Sequence, residues 1–177
     1  MYRDVGIYLL LLDGAEVLNM KINNEILQIY KLIHWNSTAE MQEKGIKMAE
    51  KVEDLSYFMQ PLVSEYTKSV WDNCAIIISK RSDEELKPYL KQMLSWLKDM
   101  NWPGAFEIKD RLVKVSAPIL IPEYLNCISS AIKDGKKTWL MFLSGLIDNK
   151  ELYNLLPEDK KELMMEKYKM FWGYSGE

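Results

Sequence analysis

Five of the six tryptophans, Trp35, Trp71, Trp102, Trp139 and Trp172, are separated by 36, 31, 37 and 33 residues. Each interval holds about two helices and two turns, and helix-pair arrays recur every ~34 to 47 residues. Each pair in such an array exposes an apolar face that only the next pair covers, so bulky residues return at similar places. A second recurrence agrees. When "YLKQMLSWLKD" from Tyr89 is laid on "YLNCISSAIKD" from Tyr124 without a gap, Tyr89, Leu90, Ser95, Lys98 and Asp99 meet Tyr124, Leu125, Ser130, Lys133 and Asp134. The expectation is an all-α fold, a right-handed α-α superhelix of HEAT-like helix pairs with those five tryptophans as its repeat core. With 8 Gly and 6 Pro in 177 residues, helices are seldom interrupted and tight hairpins are scarce.

Local signals place the helices. Ile22, Ile26, Ile29, Tyr30 and Ile33 fall at helical spacing and predict a helix over 22–34. "STAE" reads as a capping box, with Ser37 and Glu40 satisfying each other's amides, ahead of a helix reaching about residue 52. Val70, Trp71, Cys74, Ile77 and Ile78 predict a helix over 65–79, and "SDEE" from Ser82 supplies a second capping box. The next stripe is Leu86, Leu90, Met93, Leu94 and Leu97, with Pro88 near enough to the start to be tolerated. Pro103 suits the first position of a helix bearing Phe106, Ile108, Leu112 and Val113. Ile121, Leu125, Ile128 and Ile132 mark another. "DGKK" turns into one holding Trp139, Phe142, Leu143 and Leu146, and the last runs from Pro157 to Trp172, with Gly173 as its stop. No segment reads as a strand.

The apolar run Val5–Leu12 is too short to span a bilayer, which takes about 20 residues. It also lacks the flanks of a signal peptide, since Asp4 offsets Arg3. "MKINNEILQIYKLIHW" reads as a fresh start. Residues 1–19 are therefore expected to be an extension, with Met20 a candidate initiator and residues 20–177 a single α-solenoid domain. Cys74 and Cys127 sit in apolar helical patterns without metal or redox spacing, which points to reduced core residues of a cytoplasmic protein.

The stretch "WLKDMNWPGAFEIKDRL" resembles the hallmark of a bacterial domain-of-unknown-function family, W-L-x-D-x-N-W-P-x-A followed by a later Trp-bearing helix. Trp96, Leu97, Asp99, Asn101, Trp102, Pro103 and Ala105 match that pattern, and "TWLMFLSGLI" is similar to the later helix. The resemblance covers residues 85–148. It implies a helical-repeat fold and carries no catalytic residue.

Chemistry is hard to find in this chain. His34 is its single histidine, which excludes a two-histidine metal site, and a lone ionisable group without an orienting partner is a weak base. No GxxxxGK, GxGxxG, GxSxG or HExxH motif is present. Glu40, Glu43, Asp83, Glu84, Glu85, Asp99, Asp110 and Asp134 fall mostly where caps and solvated faces put carboxylates. No catalytic residue, metal or cofactor is expected. The net charge of −3 gives no general attraction to phosphates.

The expected function is non-catalytic: binding of another macromolecule, a protein, as a toxin-neutralising or regulatory partner. The expected contacts lie off the apolar stripe, on the second helices of successive pairs: Tyr89, Lys91, Gln92, Trp96 and Tyr124. Two alternatives compete. One is a HEAT-like nucleic-acid-binding protein or base-excision glycosylase, which needs a basic groove. The other is a carboxylate-dependent hydrolase, which needs two converging acids.

Overall fold

The computed structural model describes residues 6–9, 18–21, 24–63 and 66–173. Ile22, half of Val5–Leu12 (residues 5 and 10–12) and the start of the helix expected from residue 65 lie outside those residues. The chain divides into two compact units, Met1–Lys80 and Arg81–Glu177. Its architecture is helical. A short antiparallel hairpin, β1 (Gly6–Leu9) with β2 (Leu18–Lys21), stands at the start, in register Gly6 with Lys21 through Leu9 with Leu18. These four-residue strands were not expected from the sequence, because neither is long enough to show alternation. The expected boundary at residue 20 falls inside β2.

The first unit continues with α1 (Asn24–Ile33), α2 (Ala39–Ala49) and α3 (Lys68–Ser79). Ile26, Ile29, Tyr30 and Ile33 form the buried stripe of α1. The Tyr30 ring lies 6.5 Å from Phe58 and 5.8 Å from Tyr66, and its hydroxyl donates to the Tyr57 carbonyl. Helix α2 offers little apolar surface; it approaches α1 at Gly45, where a Cβ would stand 2.6 Å from Ile33 Cγ2. Its N-cap is Thr38, which accepts from the Met41 amide. The N-cap is thus displaced by one residue and the capping box expected at Ser37 does not form: the Ser37 hydroxyl is already donating to the Lys31 carbonyl, and Met41, three residues after Thr38, has no carboxylate to reach back. Helix α3 buries Val70, Trp71, Cys74, Ala75, Ile77 and Ile78, and Asn73 Nδ2 donates to the Ile33 carbonyl at 2.7 Å, tying α3 to the end of α1.

The second unit opens with α4 (Asp83–Leu86), whose capping box forms as expected between Ser82 and Glu85. A 3₁₀ turn at Lys87–Tyr89 separates it from α5 (Leu90–Trp96). Pro88 is therefore not absorbed into one helix, since it cannot donate an amide to the ladder. Then follow α6 (Ala105–Val113), α7 (Ala117–Lys133), α8 (Lys137–Ser144), α9 (Lys150–Leu155) and α10 (Glu158–Phe171). Helix α5 packs on α6 and α7, α7 on α8 and α9, and α8 on α10. Leu90, Met93, Leu94 and Leu97 are buried with Leu112, Leu120, Ile128 and Leu143.

Three expectations about this unit need correction. Pro103 does not begin α6. Gly104 is the N-cap at φ 78°, a left-handed conformation that glycine adopts without a Cβ penalty. Phe106 is 58% exposed, because the inward face of α6 is Ala105, Ile108 and Leu112. On α7 the buried stripe is Leu120, Tyr124, Cys127, Ile128 and Ala131, while Ile132 is 43% exposed. The inward face is rotated from the aliphatic stripe by about one residue, ~100°.

Candidate partner-binding surfaces

Among the described residues there is no cluster of His, Cys, Asp and Glu able to hold a metal ion. Asp83, at the start of α4, accepts from the Ser116 amide at 2.9 Å and from the Arg111 guanidinium, which also donates to the Arg81 carbonyl at 2.8 Å. Partial burial alone would raise the Asp83 carboxyl; the Ser116 amide and Arg111 outweigh it and hold the group below its ordinary range. Hydrogen bonds from the Ser82 hydroxyl and amide do the same for Glu85, and one from Lys160 does so for Asp159. Asp83 and Glu85 are acceptors that fasten the start of α4, while Asp159 meets the neighbouring Lys160 side chain. General acid catalysis asks for the opposite shift.

Among the residues expected to meet a partner, Tyr89 is half-buried, while Lys91 and Gln92 are exposed. Trp96 and Tyr124 are fully buried, which corrects their placement on a contact face. The Trp96 indole donates to the Pro103 carbonyl at 3.0 Å, and Asp99 Oδ1 accepts from the Asn101 amide at 2.9 Å. With Gly104 left-handed, these bonds fold residues 96–105 into a tight corner between α5 and α6. The Tyr124 hydroxyl donates to the Leu143 carbonyl at 2.9 Å, and burial pushes its pKa up. The recurring Tyr-Leu is therefore not equivalent in its two copies: one tyrosine is half-buried before α5 and the other is sealed between α7 and α8.

The periodic tryptophans also divide. Trp71 and Trp139 are buried, donating to the carbonyls of Pro61 and Leu94. Trp102 and Trp172 are half-buried. The Trp172 indole donates to the Met141 carbonyl at 2.9 Å, and Lys109 Nζ lies 4.9 Å from its ring centroid. Lys109 also pairs with Asp148, which accepts from the Tyr168 hydroxyl at 2.7 Å, so α6 and α10 are joined through one carboxylate.

Trp35 is the correction with the widest consequence. Its side chain is 56% exposed, in the turn between α1 and α2, and is no part of a repeat core. The backbone beneath it is fixed on every side. The Trp35 amide donates to the Ser69 carbonyl at 2.9 Å, and the Ser37 amide to the His34 carbonyl at 2.8 Å. Gln42 Nε2 lies within 3.0 to 3.4 Å of the carbonyls of Ser37, His34 and Trp35. His34 Nδ1 accepts from the Asn36 amide at 3.1 Å, so its role is that of a turn acceptor. The result is a pinned turn presenting a large indole to solvent. Its position just past the last apolar residue of α1 was the available signal; the role of Gln42 left none.

No helix among the described residues is long and apolar enough to cross a membrane. Comparison with curated proteins and with solved structures gives no match. The model of one protein family, described as a domain of unknown function (DUF5071), matches residues 66–166, from the approach to α3 through most of α10, and the chain belongs to that family.

Proposed function

We propose that this protein is a non-catalytic helical-repeat protein that binds a protein partner, with Trp35 as an anchor of the contact. The observation that carries the reading is the pinned turn at residues 34–37: an indole 56% exposed on a backbone held by hydrogen bonds from α2 and to α3. Tryptophan is enriched among the few residues that dominate binding energy, and a side chain presented from a rigid backbone loses less freedom when it docks. A toxin-neutralising or regulatory role, by occlusion of a partner's surface, is consistent with this chemistry.

The HEAT-like, right-handed superhelical arrangement belongs to the same proposal. Its support lies in the second unit, where α5, α7 and α9 contact in series and α8 contacts α10, the alternate-helix contacts of a two-layered array. A cytoplasmic location rests on two cysteines that are free and buried. The test is an affinity capture from native cytosol with wild-type and Trp35→Ala chains, followed by calorimetry with the captured protein. Trp35→Ala should weaken binding by about 2 kcal/mol or more while leaving the melting temperature nearly unchanged. Equal affinity of the two chains rejects the anchor.

A further inference from the structure

We propose that the α5–α7–α8 face of the second unit docks an Asp- and Glu-rich segment of a partner protein. It extends the reading of the protein as a binder to a second surface that does not involve Trp35. The sequence concentrates positive charge on these elements. Residues 87–98 carry Lys87, Lys91 and Lys98 and no acid; residues 117–147 carry Lys133, Lys136 and Lys137 against Glu123 and Asp134. Six lysines thus stand against two carboxylates in a chain whose net charge is −3.

The fold brings this charge together. Helix α7 packs against both α5 and α8. Lys91, on α5, and Lys98, in the turn just past its end, both act electrostatically on the Cys127 thiol of α7. Lys98 Nζ lies 4.9 Å from the Trp139 ring centroid, which sets the end of α5 beside the first turn of α8 and its neighbours Lys136 and Lys137. Among the described residues, Lys91, Lys133, Lys136 and Lys137 are exposed and in no ion pair. By contrast, Arg81, Lys109 and Arg111 in the same unit each meet a carboxylate. Cations left unpaired at the start of a helix oppose its dipole, so Lys136 and Lys137 at the start of α8 do not serve its local stability. The charge of the face is complementary to carboxylates.

Two features favour a polypeptide over a nucleic acid. Every cation on the face is a lysine, without the arginine forks suited to phosphates. The tryptophans of these elements, Trp96 and Trp139, are turned inward, leaving no indole on which a base would stack.

The experiment is fluorescence anisotropy of the full chain with a labelled Glu/Asp-rich dodecapeptide and, in parallel, a labelled thymidylate dodecamer. The peptide should bind, and should weaken about ten-fold between 50 and 200 mM salt, as screened surface charges require. The exposed-lysine variant Lys91→Glu/Lys136→Glu/Lys137→Glu should lose at least about ten-fold in affinity with unchanged circular dichroism. Lys114→Glu, at the exposed end of α6, should bind like wild type, and so should Trp35→Ala, which separates this face from the anchor proposed above. Failure of the peptide to bind, an equal loss in Lys114→Glu, or tighter binding of the thymidylate dodecamer overturns the proposal.

Discussion

A tryptophan's place in a periodic series does not decide its work; its surroundings do. Trp96 lies outside the series, yet it is fully buried and holds the α5–α6 corner through the Pro103 carbonyl. Trp102 lies in the series and is only half-buried. Trp96→Ala should therefore cost about 3 to 5 kcal/mol, through lost burial, a cavity and a carbonyl left without its donor. Trp102→Ala should cost less than about 2 kcal/mol. Urea melts of the two variants check the order, and a larger loss at Trp102 would show that the corner is not what Trp96 secures. The same reasoning separates Tyr89 from Tyr124: replacing the second is expected to unfold, because its hydroxyl and ring are both enclosed.

Among the helices, the short ones are the most dependent on their ends. Helix α4 has a single turn, and its start is fixed by the Ser82–Glu85 box and by Asp83 bridging the Ser116 amide and Arg111. Both carboxyls are held below their ordinary values of 3.8 and 4.5. A carboxyl lowered on folding adds stability that is complete above its unfolded pKa and is lost as pH falls through its folded one. Stability should accordingly be level above about pH 5 and decline as the solution is acidified below about pH 4. Asp83→Asn removes one titrating group, so denaturant midpoints measured from pH 7 to pH 2 should start lower and fall less steeply. An unchanged slope would show that Asp83 is not held as described.

For the whole molecule, each of the two compact units contains one buried thiol, Cys74 in the first and Cys127 in the second. Burial raises both; Cys127 is pushed up to about 11, with Glu123 raising it and Lys91 and Lys98 opposing. Thiolate is the reactive form, so both should resist an aromatic disulfide reagent in the native protein and react at once in denaturant. Cys74 has no exposed surface while Cys127 is 4% exposed, so Cys127 should react first. Replacing each cysteine in turn by Ala assigns the phases, and the rates then report the opening of each unit separately. Fast labelling of Cys74 in native buffer would contradict its place in the core.

Local signals were enough for much of this. Apolar spacing located α1, α3 and α5, and the Ser82 box set the start of α4, because these depend on residues within one or two turns of each other. The helical class, and the lack of a membrane-length apolar helix among the described residues, were legible for the same reason. Where a helix carries apolar residues around more than half its circumference, as α7 does, periodicity does not say which of Tyr124 and Ile132 faces inward; the positions of α5 and α8 decide it. Nor does spacing distinguish a tryptophan that fills a core from one that a turn holds in solvent. For Trp35 that was settled by Gln42 and Ser69, seven and 34 residues away, whose hydrogen bonds fix the turn and turn the ring outward. Lys91 of α5 and Lys137 of α8 are likewise 46 residues apart in the chain and come onto neighbouring helices only because α7 packs against both α5 and α8. Contacts across such distances come from the packing of whole elements, which the order of residues along any one helix does not encode.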